Sequence, residues 1–220
     1  MDRRTAGEIL GILRGAYPGA MKDGRYHAPA FEALITTILS AQTTDRSVDL
    51  VRGRLFGKYP TPEALSRADT ASVEEIIHST GFYHAKARHI IAASKSLITD
   101  FGGTVPRTME ELVRIPGVGR KTANIVLYHV YGKNDGVAVD THVMRLSGRI
   151  GLSDRKDQDG IERDLMALFP EDAWGPVTDL LIAHGRAVCT ARKPDCGRCI
   201  INRFCRYYHE TFLPQAGRSS

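Results

Sequence analysis

Four cysteines near the end of the chain restrict most strongly how this sequence can fold. They are the only cysteines among the 220 residues and stand at Cys189, Cys196, Cys199 and Cys205. The spacing C-x6-C-x2-C-x5-C can bring four thiolates to one point at little loop-closure cost, which suits a metal ion or an iron–sulfur cluster. A disulfide-bonded tail is the alternative, and the first residues, MDRRTAGEIL, give it no support because they lack a secretion signal.

The charge of the chain indicates a phosphate-bearing partner. Lys and Arg outnumber Asp and Glu by 30 to 25, giving a formal charge of +5. Basic residues crowd the cysteine segment, where Asp195 is the only acid. They are Arg186, Arg192, Lys193, Arg198, Arg203 and Arg206. This pattern permits nucleic-acid binding, and an ordinary solvated basic tail is the alternative.

Apolar residues recur at helical spacing through most of the chain, and no convincing alternation of apolar and polar residues occurs. We therefore predict an all-α fold. The predicted helices are a core helix around residues 31–39 and others at about 3–14, 45–59, 62–68, 71–79, 84–100, 108–114, 120–131, 141–150, 158–168 and 174–188. No apolar run is long enough to cross a bilayer, so we expect a soluble cytoplasmic protein, nucleoid-associated if prokaryotic, and a monomer.

Residues 108–131, TMEELVRIPGVGRKTANIVLYHVY, predict two helices joined by a tight hairpin. Thr108 and Glu111 suit a capping box at the start of the first helix, and Pro116 ends it. Gly117 and Gly119 would shape the hairpin and let backbone N–H groups approach a phosphate, beside the positive end of the second helix. A plain turn between packed helices is the alternative.

The order of several motifs carries a resemblance to a known family. These motifs are LSAQTTD at 39–45, GFYHAKA at 81–87, IPGVGRKTAN at 115–124, VDTHVMR at 139–145, and HGRAVC with the remaining cysteines. Over nearly its whole length the chain resembles the endonuclease III family of helix-hairpin-helix DNA glycosylases and abasic-site lyases. The resemblance implies excision of oxidised pyrimidines from duplex DNA and one 4Fe-4S cluster on the four cysteines.

The resemblance also implies two helical domains flanking a DNA-binding cleft. One is a six-helix barrel with the hairpin, expected at residues 23–133. The other holds the cluster and combines residues 1–22 and 134–212. Residues 213–220 are expected to form a disordered tail.

Two residues match the family's catalytic positions. Lys121 lies in the first turn after the hairpin, where the helix dipole and Arg120 disfavour a further positive charge and so favour a nucleophilic amine. The resemblance makes it the Schiff-base nucleophile. Asp140 would stabilise positive charge on the sugar and assist proton transfer. It also fits the N-cap of the next helix, and both roles are compatible.

The remaining site predictions concern DNA contacts. Gln42 and Phe82 are candidates to fill the space left by an extruded nucleotide, although the family often has an aliphatic residue at the second position and Phe82 could instead anchor the core. The other predicted contacts are Gly117, Gly119, Arg120, Arg192 and Lys193. Lys86, Arg88 and Arg145 are weaker candidates for phosphate contacts, with a solvated surface as the alternative.

Two other functions fit parts of the pattern. A monofunctional mismatch glycosylase of the same superfamily would generally lack Lys121. A non-catalytic DNA-binding module could keep the hairpin and bind zinc through the cysteines, but their spacing is not that of two C-x2-C pairs.

Overall fold

A computed structural model describes residues 1–20 and 28–213 of the chain. Within these ranges the regular elements are all helical and no β-strand occurs, which confirms the predicted all-α fold. The α-helices are α1 (Arg3–Ala16), α2 (Ala30–Leu39), α3 (Asp45–Lys58), α4 (Pro62–Ser66), α5 (Thr70–Ile77), α6 (Tyr83–Phe101), α7 (Met109–Leu112), α8 (Arg120–Tyr131), α9 (Thr141–Ile150), α10 (Gln158–Leu168) and α11 (Trp174–Ala187). None of these helices has the length and apolar character that crossing a bilayer would require.

The chain divides into two compact units. Residues 24–133 form one, here called the hairpin unit, and residues 1–23 with 134–220 form the other, the cysteine unit. The predicted domain boundary at residues 22 and 23 lies outside the described residues. So does all of the predicted tail 213–220 except Leu213.

Each unit has its own hydrophobic core. In the hairpin unit, α2, α3, α6 and α8 contribute fully buried aliphatic side chains, including Leu34, Leu55, Ile90 and Leu127. In the cysteine unit, α1 packs against α11, which joins the start of the chain to its last third. The periodic apolar positions of the sequence are the ones that face these cores.

Short polar side chains begin most of the helices, which explains why the sequence predicted them well. Among the described helices, α1, α3, α4, α5, α7, α9 and α10 have an Asp or Thr N-cap that accepts a backbone N–H. Each such cap stabilises a helix by about 1 kcal/mol. Helices α6 and α8 have no side-chain cap, and both begin at residues singled out as candidates for DNA contacts.

One predicted helix is shorter in the structure, and the chain after α11 forms no long helix among the described residues. The helix predicted at 108–114 ends at Leu112, because Arg114 and Ile115 donate to carbonyls three residues back and tighten the chain into a turn. After α11 the chain forms only short 3₁₀ turns at Cys196–Arg198 and Asn202–Phe204, followed by a π-helical turn at Tyr208–Phe212.

Candidate functional site

The predicted hairpin is a tight turn between α7 and α8. Val118 N donates to Ile115 O at 3.0 Å, with Pro116 and Gly117 at the two central positions. Gly117 has φ +82°, and a Cβ there would lie 3.1 Å from the Cβ of His89 on α6. A type II turn needs a positive φ at this position, and the close approach of α6 excludes a side chain. Gly117 is thus required by the fold itself.

Gly119 differs from Gly117 in both conformation and surroundings. It is the N-cap of α8 with φ −97° and ψ 176°, and a Cβ built on it meets no atom within 4 Å. Neither backbone strain nor protein packing therefore requires glycine at this position. The first turn of α8 is left with N–H groups that no side chain caps, which is an arrangement that binds anions.

Lys121 is exposed in that first turn, next to the exposed Arg120. The hairpin thus places an uncapped helix N-terminus and the amine of Lys121 on one solvent-facing part of the hairpin unit. The sequence predicted this grouping, since its members are contiguous in the chain.

Gln42 and Phe82 share an unusual backbone conformation. Among the described residues they are the two with a positive φ that are not glycine, at 51° and 49°. Left-handed backbone costs a non-glycine residue about 1–3 kcal/mol, and such strain clusters at functional sites. Phe82 is 69% exposed, which excludes the alternative that it anchors the core. Gln42 is exposed in the turn between α2 and α3, after the end of α2.

Lys86 was a candidate phosphate contact, and this prediction was wrong. Its side chain is only 4% exposed. Its Nζ donates to Thr80 O at 2.8 Å and also to Thr43 Oγ1. Burial lowers the pKa of Lys86. The local sequence does not predict this burial, because Thr43 is 43 residues away in the chain.

Asp140 is the N-cap of α9, which is one of the two roles that the sequence predicted for it. Its Oδ1 accepts the N–H of Val143 at 2.8 Å, and its backbone is extended. Residues 137–139 before it are buried, and the Asp140 side chain is partly buried. The cap therefore holds the carboxylate at the start of α9 in a fixed orientation.

Arg145 was also a weak candidate for a phosphate contact, and the structure gives it a different place. Its guanidinium donates to Gly185 O and Cys189 O, both at 3.2 Å, and lies 3.0 Å from His142 Nδ1. A Cβ on Gly185 would lie 2.9 Å from His142 Nδ1 and 3.0 Å from the Arg145 guanidinium, so glycine there allows α9 and α11 to pack closely. Arg145 therefore joins α9 to the end of α11.

The four cysteines line one pocket in the cysteine unit. All four thiols are free, so the disulfide alternative is not supported. Burial raises the pKa of Cys199 to about 11, and burial also raises the pKa of Cys196 and Cys205. Because burial disfavours the ionised thiols, four thiolates in this pocket need bound cations to balance their charge, and iron ions can do so.

The donor set fits an iron–sulfur cluster. All four residues are cysteines, and soft thiolates are the ligands that such clusters use. Their spacing in the chain is not that of two C-x2-C pairs, which is typical of zinc sites. All four line one pocket of the cysteine unit.

Two further side chains reach the cysteines, and the sequence prediction missed both. Burial lowers the pKa of His184 to about 4, so its ring is neutral. Tyr17 OH lies 2.9 Å from Nδ1, and Cys199 Sγ lies 3.4 Å from Nε2. If the hydroxyl donates to Nδ1, the ring proton is on Nε2 and points to the sulfur. The HGR motif was the available signal for this contact.

Arg149 is the second of these side chains. It donates to Cys189 Sγ at 3.4 Å, Thr190 O at 2.7 Å and Ala191 O at 2.8 Å. These bonds hold the start of the loop that carries the exposed side chains of Arg192 and Lys193. The loop is closed by Asp195 N, which donates to Val188 O at 3.0 Å. The predicted phosphate contacts Arg192 and Lys193 therefore lie on a loop that hydrogen bonds hold in place, here called the braced loop.

Comparisons with known proteins agree with this site. The family model for the HhH-GPD superfamily of base excision DNA repair proteins matches residues 35–171. The model for the iron-sulfur binding domain of endonuclease III matches residues 189–205, which run from the first cysteine to the last.

Several curated relatives of this chain share the name endonuclease III. That of Synechocystis sp. is 49% identical over 203 residues, covering 92% of this chain and 92% of the relative. That of Thermotoga maritima is 40% identical over 178 residues, covering 81% of this chain and 83% of the relative.

A trapped endonuclease III–DNA covalent intermediate is among the similar solved structures. It superposes with a TM-score of 0.90 at 36% identity, covering 96% of this chain and 99% of that chain. A thermostable thymine-DNA glycosylase has a TM-score of 0.84 at 23% identity, covering 94% of this chain and 98% of that one. The second likeness shows the shared fold.

Proposed function

Because this chain belongs to the endonuclease III family, within the HhH-GPD superfamily of base excision DNA repair proteins, we propose that it removes oxidised pyrimidines from duplex DNA and then cleaves the abasic site through a Schiff base on Lys121. One observation carries the assignment of the nucleophile. Lys121 is an exposed amine in the first turn of a helix whose N-terminus no side chain caps. A relative has been trapped as a covalent intermediate with DNA, which supports covalent chemistry here.

The uncapped start of α8 supplies binding for the DNA backbone. Backbone N–H groups near Gly119 would donate to a phosphate oxygen, and the helix dipole favours the negative charge. This contact would hold the strand in register, so that Lys121 meets the sugar of the nucleotide being repaired.

The reaction then proceeds at the sugar. The neutral amine of Lys121 attacks C1′, the glycosidic bond breaks, and the base leaves with the bonding electrons and takes up a proton. Opening of the sugar ring gives a protonated Schiff base between C1′ and the lysine nitrogen. Loss of a C2′ proton then expels the 3′ phosphate by β-elimination, and water releases Lys121.

Asp140 would act on charge and protons during these steps. Its ionised carboxylate would stabilise positive charge that develops on the sugar, and it could accept and return protons around the amine. Its Oδ1 is held by Val143 N–H, so the carboxylate has a fixed orientation before DNA binds.

Gln42 and Phe82 would occupy the space that the extruded nucleotide leaves. Extrusion costs a few kcal/mol of stacking and pairing, which inserted side chains can recover in part. The exposed ring of Phe82 can stack on neighbouring bases, and the amide of Gln42 can bond to the unpaired base opposite.

The cysteine unit would contribute DNA binding rather than reaction chemistry. When bound, a 4Fe-4S cluster holds the four thiolates together and so fixes the chain from residue 189 to 205. Arg192 and Lys193 on the braced loop would meet phosphates.

We assign this cluster domain to residues 1–22 and 134–212 and the hairpin domain to residues 23–133, and the contact pattern that separates 24–133 supports the assignment. The monomeric state and the cytoplasmic location, with nucleoid association if the source is prokaryotic, stay predictions.

A duplex with one thymine glycol tests the function. We expect release of the modified base and a nick with a 3′ unsaturated aldehyde, while the undamaged duplex stays intact. Release of the base without a nick would instead favour the monofunctional alternative, and binding without either product would favour a non-catalytic module.

Replacing Asp140 by Asn separates its two roles. Asn caps a helix as well as Asp does, so we expect Asp140→Asn to leave stability nearly unchanged while the single-turnover rate of base release falls by about 10²- to 10³-fold. Asp140→Ala should add a loss of about 1 kcal/mol in the free energy of unfolding. If Asp140→Asn keeps the wild-type rate, the carboxylate serves only as a cap.

The two hairpin glycines give a matched pair. Gly117→Ala should destabilise the protein by about 1–2 kcal/mol because of its positive φ and the contact with His89. Gly119→Ala should cost about 0.5–1 kcal/mol, because alanine is a poorer N-cap than glycine, and should weaken binding to an abasic-analogue duplex about fivefold by blocking the phosphate. Thermal unfolding and titration of the duplex measure both. If Gly119→Ala binds the duplex as tightly as the wild type, no phosphate lies against Gly119.

A further inference from the structure

Two turns of the hairpin unit are joined by one buried side chain. The first turn contains Gln42 and follows α2, and the second contains Phe82 and leads into α6. Lys86, one turn into α6, donates from its Nζ to Thr43 Oγ1, next to Gln42, and to Thr80 O, two residues before Phe82. Thr43 Oγ1 also donates to Thr80 O. The three groups form a closed polar triangle.

We propose that Lys86 is a positioning residue that sets the separation of Gln42 and Phe82. The proposal rests on the insertion role given to these two side chains above. A lysine that is 4% exposed cannot reach a phosphate, so its ammonium acts on the protein itself.

The buried lysine supports two strained turns. Gln42 and Phe82 both have left-handed backbone, a conformation that persists only where the surrounding structure holds it. Lys86 donates to both turns at once, so removing it would leave the hydrogen bond from Thr43 Oγ1 to Thr80 O without its support. Without Lys86 we expect each turn to relax separately, so that the two side chains no longer enter the duplex together.

Lys86→Met tests the proposal, because Met has a similar length and makes no such hydrogen bond. Lys95→Met is the matched control, since Lys95 is exposed on the same helix. We expect Lys86→Met to slow single-turnover release of thymine glycol about 10- to 100-fold, and Lys95→Met to keep the wild-type rate. Circular dichroism and the absorbance of the cluster check that each variant is folded and loaded.

Two readouts separate positioning from a phosphate contact. The first is the salt dependence of binding to undamaged duplex, whose slope should be unchanged in Lys86→Met, whereas a lost phosphate contact lowers it by about 0.9. The second is the fluorescence of 2-aminopurine opposite a tetrahydrofuran abasic analogue, which reports insertion without any reaction. Its change on binding should shrink in Lys86→Met.

Thr43→Val and Thr43→Ser supply a second test that keeps Lys86. Thr43→Val removes the bridging hydroxyl and should reduce the 2-aminopurine signal, while Thr43→Ser should restore it. Wild-type insertion and base release in Lys86→Met would overturn the proposal, as would a lowered salt slope. Failure of the wild-type protein to release thymine glycol would instead refute the proposed function itself.

Discussion

Replacing Lys121 by Arg is expected to abolish strand cleavage while DNA binding persists. Arginine keeps the positive charge and the helix propensity, but its guanidinium stays protonated and does not form the Schiff base. We expect the rate of cleavage at a preformed abasic site to fall by about 10³-fold or more, since removing a nucleophile removes the covalent route. Single-turnover cleavage measures the rate.

Lys121→Gln completes this test. It removes both the amine and the charge, so cleavage should fall as far as in Lys121→Arg. If the lysine also contacts a phosphate, duplex binding by Lys121→Gln should depend less on salt than duplex binding by Lys121→Arg. Lys95→Gln, on the exposed face of α6, should behave as wild type in both assays. Cleavage near the wild-type rate in Lys121→Arg would show that another group is the nucleophile.

Replacing Cys199 by Ser is expected to remove the cluster and disorganise the cysteine segment. Serine is a harder and far less acidic ligand than a thiol, so three thiolates would remain to hold the iron. The segment has only short 3₁₀ turns of its own, so little else holds it together. We expect iron content to fall from about four atoms per chain to below one, with loss of the brown colour.

DNA binding should weaken together with the cluster. Without it the loop that Arg149 braces loses its attachment at Cys189, and we expect affinity for undamaged duplex to fall about tenfold through the lost contacts of Arg192 and Lys193. Ile200→Ser is the control, because Ile200 is 46% exposed and neighbours the same cysteine. A colourless wild-type protein with one zinc per chain would contradict the cluster assignment.

The local signals in the sequence predicted the helices and the hairpin. Helix α9 shows why, since its apolar positions recur at helical spacing and Asp140 immediately before it caps it. The turn at Gly117 was equally readable, because Pro-Gly at its centre is a local preference. The hairpin and the cysteine cluster could be identified without knowledge of the tertiary structure, because their residues are contiguous or closely spaced in the chain.

What the sequence left open depends on residues far apart in the chain. Lys86 and Arg145 resemble surface residues until α6 and α9 are packed, because their partners Thr43 and Gly185 lie 43 and 40 residues away in the chain. The contacts of His184 with Tyr17 and Cys199 likewise join the first helix to the cysteine segment. Burial of a polar side chain is decided by such partners, and a local pattern does not contain them.

Borohydride trapping tests the central claim most directly. Reduction of the Schiff base would leave a stable C–N bond between the protein and a thymine glycol duplex, and peptide mapping by mass spectrometry would locate it. We predict a covalent adduct on the peptide containing Lys121 and none with undamaged DNA. An adduct on a different lysine, or release of thymine glycol with no adduct, would contradict the account.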